Sequence, residues 1–77
     1  MPDLTLFYRP MCSYCRKVLR FMEQYNIDLP LKNVSEGPNV QQELQNIGGK
    51  SQVPCLVIDG KALYESDDII QWLKDHY

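Results

Sequence analysis

The sequence predicts an α/β domain in which three helices flank a four-stranded mixed sheet. Three observations support this prediction. A β-prone run at Leu4–Tyr8 leads directly into a helical stretch, a second strand and helix follow up to Gly49, and an Asp59-Gly60 turn separates two further strands. We expect one domain over residues 1–77, because a core of this size cannot be divided and still offset the backbone entropy lost on folding.

The first half of the chain predicts a strand, a helix and a second strand. Leu4–Tyr8 is rich in residues that favour strands, and Pro10 stops the run. From Ser13 to about Tyr25 the residues favour a helix with one mainly apolar face. The positions that form this face are Cys15, Val18, Leu19, Met22 and Asn26. Ile27–Val34 can form the second strand, and Pro30 indicates an edge position or a late start because it lacks an N–H donor.

A second helix and a hairpin come next. Pro38 suits the first turn of a helix, and Gly48-Gly49 ends the apolar stripe that follows it. That stripe consists of Val40, Leu44 and Ile47. Cys55–Ile58 and Lys61–Tyr64 flank Asp59-Gly60, a dipeptide that readily adopts the positive φ angles of a two-residue turn. We therefore expect two antiparallel strands.

The chain ends with a third helix, which Ser66 or Asp67 can cap. Its inward positions are Ile69, Ile70 and Leu73, with Trp72 also available to cover the sheet. The resulting order, β-α-β-α-β-β-α, is that of a minimal thioredoxin-like fold.

Composition and charge narrow the functions to be considered. The hydrophobic share of 44% and the charged share of 23% are those of an ordinary globular protein. A net charge of −2 offers no electrostatic reason to expect nucleic acid or an anionic membrane as a partner. No segment approaches the roughly 20 apolar residues of a membrane helix, and the N-terminus lacks a secretion-signal pattern. We therefore expect a cytoplasmic protein that binds neither nucleic acid nor membrane.

Cys12 and Cys15 are the residues most suited to chemistry. Only the thiolate attacks a disulfide, and Cys12 is predicted in the first turn of a helix, where free N–H groups and the helix dipole favour an anion. Arg9 adds a nearby cation. Cys15 lies one turn further on the inward side, where it can reach a mixed disulfide on Cys12. The spacing therefore predicts an attacking thiol at Cys12 and a resolving thiol at Cys15.

Two other interpretations of the cysteines stay open. The pair can be two buried cysteines that act as small hydrophobic residues, or half of a zinc site. A closed zinc site needs four ligands, and beyond the pair the chain offers only Cys55, His76 and carboxylates, so no metal site is expected. We expect Cys55, at the start of a strand, to be an inert core thiol rather than a third redox group.

Three segments resemble the glutaredoxin family in the same order over nearly the whole chain: Tyr8–Cys15, Gln52-Val53-Pro54 and Glu65–Asp68. The resemblance implies a cis Val53–Pro54 bond beside the cysteine pair and a Val53 backbone that pairs with the cysteine backbone of glutathione. A cis bond costs only about 0.5–1 kcal/mol before proline. The alternative is an ordinary trans proline that starts the next strand.

The resemblance also implies how the rest of glutathione is held. Ser66 and the N–H groups that open the last helix would hold the γ-glutamyl carboxylate, and Glu65 or Asp67 would meet the ammonium group. Arg9 would meet the glycyl carboxylate and Tyr14 would flank the pocket. The complete expected glutathione site is Arg9, Tyr14, Gln52, Val53, Pro54, Glu65, Ser66 and Asp67. The alternatives are a simple helix cap with a solvated acidic first turn, and an ordinary surface arginine.

The sequence departs from the common glutaredoxin pattern at three places. Ser13 replaces a frequent proline between the cysteines, Gln52 stands where threonine is common, and Tyr64-Glu65 stands where a glycine pair is frequent. The Glu65-Ser66 segment also resembles the glutathione-binding half of glutathione transferases. Both resemblances imply glutathione.

We therefore predict a glutathione-dependent oxidoreductase that reduces protein–glutathione mixed disulfides and protein disulfides through the Cys-Ser-Tyr-Cys dithiol. Glutathione is the expected co-substrate, with no tightly bound cofactor, and the chain is expected to be a monomer. The main alternative is a dimer that binds a [2Fe-2S] cluster through Cys12 and two glutathione thiols, since Ser13 loosens the helix start. A transferase would need an additional helical domain beyond the last predicted helix, which we do not expect, and a glutathione-binding adaptor is a weaker alternative.

Overall fold

The computed structural model describes residues 3–77 and places helices on both faces of a four-stranded sheet. The strands are β1 (Leu4–Tyr8), β2 (Leu31–Asn33), β3 (Cys55–Ile58) and β4 (Lys61–Leu63). The helices are α1 (Ser13–Gln24), α2 (Pro38–Gly48) and α3 (Ser66–His76). This element order and the mixed sheet confirm the predicted thioredoxin-like fold. Within residues 3–77, none of the helices has both the length and the apolar character needed to cross a bilayer.

The sheet order, β2-β1-β3-β4, brings distant parts of the chain together at one end of the strands. β1 runs parallel to β2 and antiparallel to β3, with Phe7 opposite Cys55. β3 and β4 are also antiparallel, with Leu56 opposite Leu63. The end of β1, the start of β3 and the end of β4 therefore lie at the same end of the sheet. The segments that follow or precede these strand ends carry the residues of chemical interest.

Two groups of buried side chains hold the helices to the sheet. Successive residues of a strand point to opposite faces, so Leu6 and Leu56 pack on the side of α1 and α3, while Phe7 and Cys55 pack on the side of α2. α1 also packs directly against α3. The largest fully buried side chains include residues of both groups, which shows that the sheet is covered on both faces.

The second strand is shorter than the sequence predicts. β2 occupies only Leu31–Asn33, starts directly after Pro30 and lies at the sheet edge, so both features expected from the proline are confirmed. Residues 27–30 pass outside the strand, although the Ile27 side chain is buried. Val34 begins a short 3₁₀ helix instead of ending the strand, because the Asn33 side chain accepts a hydrogen bond from the Ser35 N–H.

Three other element ends differ from expectation. α1 ends at Gln24, and Asn26 lies beyond it with φ 54° and an exposed side chain, so its predicted place on the buried face is wrong. β4 ends at Leu63 rather than Tyr64. The predicted side-chain cap of α3 is also absent, because Glu65 occupies the cap position and Ser66 is already the first helical residue.

Candidate active site

Cys12 is positioned by the turn between β1 and α1. It is the N-cap residue of α1, with extended backbone angles of φ −115° and ψ 121°. The Cys15 backbone N–H donates a hydrogen bond to Cys12 Sγ over 3.2 Å. The thiol therefore satisfies one of the N–H groups that a helix leaves without a partner in its first turn. No acidic residue stands in that turn to oppose a negative charge on the sulfur.

The surroundings of Cys12 favour its thiolate. Partial burial alone would raise the pKa of Cys12, but several groups act against it. Hydrogen bonds from the Cys15 thiol and from the Cys15 and Tyr14 backbone N–H groups hold the anion, and the Arg9 charge adds to them. Together they lower the pKa of Cys12 below the ordinary value for cysteine. Cys12 is partly exposed, so the activated sulfur is accessible.

Cys15 has the opposite character. Its side chain is fully buried on the inward face of α1, and both cysteines are free thiols. Burial raises the pKa of Cys15 to about 12, and the hydrogen bond and negative charge of Cys12 act in the same direction. The pair therefore combines an accessible, acidic thiol with a buried thiol that stays protonated at neutral pH.

A cleft of about 580 Å³ lies at the end of the sheet where β3 begins and β4 ends. Its lining residues are Tyr14, Gln52, Val53, Pro54, Glu65, Ser66, Asp67 and Asp68. Seven of the eight residues expected to contact glutathione are among them. Arg9 is the exception: it is exposed and outside the lining, and its charge acts on Cys12. Asp68 lines the cleft in addition.

The wall of the cleft nearest β3 contains the Val53–Pro54 bond, which is cis, as the family resemblance implies. Pro54 is buried and Val53 is partly exposed. Phe7, near the end of β1, pairs with Cys55, which directly follows Pro54. This register explains why residues more than 40 positions apart in the sequence share one site.

The acidic wall is built by the turn from β4 into α3. Glu65 adopts a left-handed conformation, with φ 71°, and its carboxylate accepts a hydrogen bond from Gln52 Nε2 over 3.4 Å. Ser66 is buried at the first position of α3, so the free N–H groups of that helix open into the cleft beside it. Asp67 forms an ion pair with Lys17 of α1, which ties the two helices together at the site.

Comparison with known proteins identifies the family. The glutathione S-transferase N-terminal domain family matches residues 6–77. The chain belongs to that family. This match covers all the elements of the fold and confirms the resemblance of the Glu65-Ser66 segment to glutathione transferases.

Individual relatives are glutaredoxins or glutaredoxin-like proteins. The chain is 27% identical over 60 residues to an uncharacterized glutaredoxin-like 8.6 kDa protein in the rubredoxin operon of Clostridium pasteurianum, covering 78% of this chain and 80% of that protein. It is 33% identical over 70 residues to Glutaredoxin-C4 of Arabidopsis thaliana, covering 87% of this chain and 52% of the plant protein. These matches show a glutaredoxin-like protein of the thioredoxin fold.

A solved structure places the chain beside the transferases as well. Glutathione transferase Omega 3C from Trametes versicolor superposes with a TM-score of 0.81 at 30% identity, covering 95% of this chain and 33% of the fungal one. The glutaredoxin-like chain thus spans about half of the plant relative and a third of the fungal transferase.

Cys55 lies in the core of this glutaredoxin-like domain. Its side chain is fully buried with Phe7, Leu44 and Val57 on the α2 face of the sheet. Burial raises the pKa of Cys55 to about 11. The expected buried position is therefore confirmed, and Cys55 is not among the residues that line the cleft. Across the described part of the chain, no three His, Cys, Asp or Glu side chains come together as a metal-binding group.

Lys17 is the site residue that the sequence did not indicate. It lies five positions after Cys12, and the sequence around it indicates only an ordinary exposed helix face. Its role depends on the packing of α1 against α3, which brings it to Asp67. No local pattern encodes that contact.

Proposed function

We propose that this protein is a glutathione-dependent thiol–disulfide oxidoreductase in which Cys12 attacks and Cys15 resolves. The observation that carries the proposal is the position of Cys12 Sγ at the N-cap of α1, where it accepts a hydrogen bond from the Cys15 N–H. The lowered pKa of Cys12 provides the thiolate that disulfide exchange requires. The glutaredoxin-like relatives and the glutathione S-transferase family match support the same chemistry.

The first step is exchange at sulfur. The Cys12 thiolate attacks the glutathione sulfur of a protein–glutathione mixed disulfide, a new Cys12–glutathione disulfide forms, and the protein leaves as a thiolate that takes up a proton. A second glutathione thiolate then attacks the glutathione sulfur of this intermediate. Oxidised glutathione leaves and the Cys12 thiolate is restored, so one disulfide is consumed and one is formed. The net reaction converts the mixed disulfide and one free glutathione into the protein thiol and oxidised glutathione, whose other half comes from the mixed disulfide.

The Cys15 route applies to protein disulfides. After Cys12 forms a mixed disulfide with a protein, Cys15 must lose a proton to attack it, and burial of Cys15 opposes that loss. The negative charge of Cys12, which also raises the pKa of Cys15, disappears once Cys12 is bonded. Formation of the mixed disulfide therefore makes Cys15 a better nucleophile than it is in the reduced protein.

Glutathione has two carboxylates and one ammonium group, and we assign each of them a partner in or beside the cleft. In this proposal the Val53 backbone pairs with the peptide's cysteine, and the N–H groups at Ser66 hold the γ-glutamyl carboxylate. Asp67 is already paired with Lys17, whereas Glu65 makes only the long contact with Gln52, so Glu65 is the better partner for the ammonium group. Arg9 stays a proposed partner of the glycyl carboxylate. A volume of about 580 Å³ is adequate for a tripeptide.

The test is glutathione-coupled reduction of a small mixed disulfide of glutathione and mercaptoethanol. We expect complete loss of turnover in Cys12→Ser, because the nucleophile is removed. Cys15→Ser should retain deglutathionylation, because glutathione resolves that intermediate, and should lose reduction of protein disulfides. Cys55→Ala is the matched control and should behave like wild type, since that thiol is buried in the core. Turnover by Cys12→Ser would overturn the proposed roles.

The family match favours one second candidate, glutathione conjugation to an electrophile. The two reactions are separable with the same protein, because conjugation of a chloronitrobenzene yields a thioether and consumes no disulfide. We expect reduction of the mixed disulfide to exceed conjugation, since the lowered pKa activates Cys12 itself and the cleft is lined largely by polar groups.

The [2Fe-2S] alternative stays a prediction, and visible absorbance after anaerobic reconstitution with glutathione tests it.

The wider setting belongs to the same proposal. Glutathionylated and disulfide-containing proteins are the proposed substrates, the monomer is the proposed working form, and a glutathione-rich reducing cytoplasm is the proposed location.

A further inference from the structure

The charge of α1 is opposite to that of the molecule as a whole. The protein carries a net charge of −2, yet residues 4–24, which include all of α1, contain four cations and a single acidic residue, Glu23. These cations are Arg9, Arg16, Lys17 and Arg20, half of the eight basic residues in the chain. A positive surface therefore surrounds the start of α1, where Cys12 lies.

Arg16 and Arg20 form the centre of this surface, which we call the basic ridge. A spacing of four residues places both side chains on one face of α1. Both are exposed, and neither has an ion-pair partner within residues 3–77. The adjacent Lys17, in contrast, is paired with Asp67. Glu23 lines one groove together with Arg16 and Arg20 but forms an ion pair with neither, so the basic ridge offers two guanidinium groups beside a single carboxylate.

A groove runs along each side of the basic ridge. One, of about 530 Å³, lies between α1 and α3 and extends from Ser13 to Gln24. The other, of about 390 Å³, begins at Tyr8 and Pro10. Arg16 and Arg20 line both grooves. Ser13, which follows Cys12 in the chain, lines the first groove. A helix segment from Ser13 to Gln24 spans about 16 Å, enough for about five extended residues of another chain.

The two sides of Cys12 therefore differ in charge. The cleft proposed for glutathione contains Glu65, Asp67 and Asp68, whereas the basic ridge contains the unpaired arginines. A mixed disulfide has two halves that leave the reacting sulfurs in different directions. With the glutathione half in the acidic cleft, the grooves along α1 remain open to the protein half.

We propose that the basic ridge docks an acidic segment next to the disulfide-bearing cysteine of the protein substrate. The inference rests on the proposed oxidoreductase function and adds the class of substrate. Guanidinium groups pair with carboxylates, and like charge in the neighbouring cleft repels an acidic segment from the glutathione side. The ridge is at the surface, so its contribution falls as ionic strength rises.

The test compares two glutathionylated peptides of equal length that differ only next to the cysteine, one with three Glu residues and one with three Gln residues. At low ionic strength we expect wild type to show about tenfold higher kcat/KM for the acidic peptide, a gain that fits two exposed charge pairs. The double substitution Arg16→Gln and Arg20→Gln should abolish the preference. The matched control, Lys61→Gln with Lys74→Gln, makes the same change in net charge at exposed positions and should retain it.

Turnover of the mixed disulfide of glutathione and mercaptoethanol separates the docking proposal from the oxidoreductase proposal. Equal turnover of this substrate by all three proteins, together with equal turnover of the two peptides by wild type, would refute the docking proposal and leave the oxidoreductase function standing. Loss of the preference in the lysine control would also refute it, because net charge and not the basic ridge would then be responsible.

Binding measures docking without turnover. Fluorescence anisotropy of labelled peptides with Cys12→Ser protein should show tighter binding of the acidic peptide, and Arg16→Glu with Arg20→Glu should reverse the order. If wild type does not turn over the small disulfide, the oxidoreductase proposal fails, and this measurement still decides the docking. Equal affinity for both peptides would overturn it.

Discussion

Gly48→Ala tests how closely α2 is packed against β4. Gly48 is the last residue of α2, and a Cβ atom added there would lie 1.9 Å from Tyr64 Oη and 2.8 Å from the Ala62 Cβ. Both distances are far shorter than van der Waals contact. The Ala62 Cβ is attached directly to the strand backbone, so full relief requires α2 to shift from the sheet in addition to the Tyr64 ring turning away.

Moving the Tyr64 ring breaks two further contacts. The Tyr64 hydroxyl donates a hydrogen bond to the Lys50 carbonyl over 2.8 Å, and the Lys50 ammonium lies 4.5 Å from the ring centroid. Loss of the hydrogen bond costs about 1 kcal/mol and loss of an exposed cation–π contact costs about 0.5–1 kcal/mol. Overpacking adds about 1–3 kcal/mol, while replacing glycine in a helix returns up to about 1 kcal/mol. We expect a net destabilisation of about 2 kcal/mol.

Urea unfolding monitored by circular dichroism measures this loss. Gly37→Ala is the matched control, because Gly37 has an extended φ of 167° and no atom lies within 4 Å of the added Cβ. That control should change the free energy of unfolding by less than about 0.5 kcal/mol. Tyr64→Ala should remove part of the penalty of Gly48→Ala in a double-mutant cycle, and the part that remains measures the conflict with the Ala62 Cβ. Unchanged or increased stability in Gly48→Ala alone would refute the reasoning, because helix propensity would then outweigh the steric conflict.

Two further predictions concern the thiols. Alkylation of Cys12 by iodoacetamide should be faster at pH 6–7 than alkylation of a free cysteine, because its lowered pKa leaves more thiolate; a rate–pH curve with the midpoint of free cysteine would contradict this. The folded-state pKa values of Cys15 and Cys55, about 12 and about 11, exceed the roughly 8.5 of an unfolded thiol. Their stabilisation is therefore complete below that value and is lost as pH rises toward 11–12, so the urea midpoint should fall over this window. Cys55→Ala should make the fall shallower, and an identical profile in that variant would argue against the Cys55 contribution.

Local sequence was sufficient for most of the elements. Pro30 predicted an edge position or a late start for β2, because a residue without an N–H cannot donate within a sheet, and the structure has both. Asp59-Gly60 predicted the hairpin, and both residues have positive φ. The same local reasoning placed Cys12 at the start of α1, where the chain leaves a strand and the helix N–H groups are free.

Local reasoning was wrong where the tertiary structure determined the backbone. Ser66 was expected to cap α3, but the turn from β4 places Glu65 in the cap position with φ 71°. Asn26 was expected on the buried face of α1, but the helix ends two residues earlier. In both cases the backbone conformation is set by the connection to the next strand or helix. A periodic pattern of apolar side chains carries no information about that connection.

By itself, the sequence determined the order of the elements and predicted the residues for which we propose chemistry, since propensities, turns and helix starts depend on neighbouring residues. Only the tertiary structure decided that Cys12, the Val53–Pro54 bond and Glu65 lie at one end of the sheet, and that Lys17 reaches Asp67. These contacts depend on strand register and on the packing of helices against the sheet. They join residues far apart in the chain, and the free energy that selects them comes from burial of the whole core rather than from any one segment.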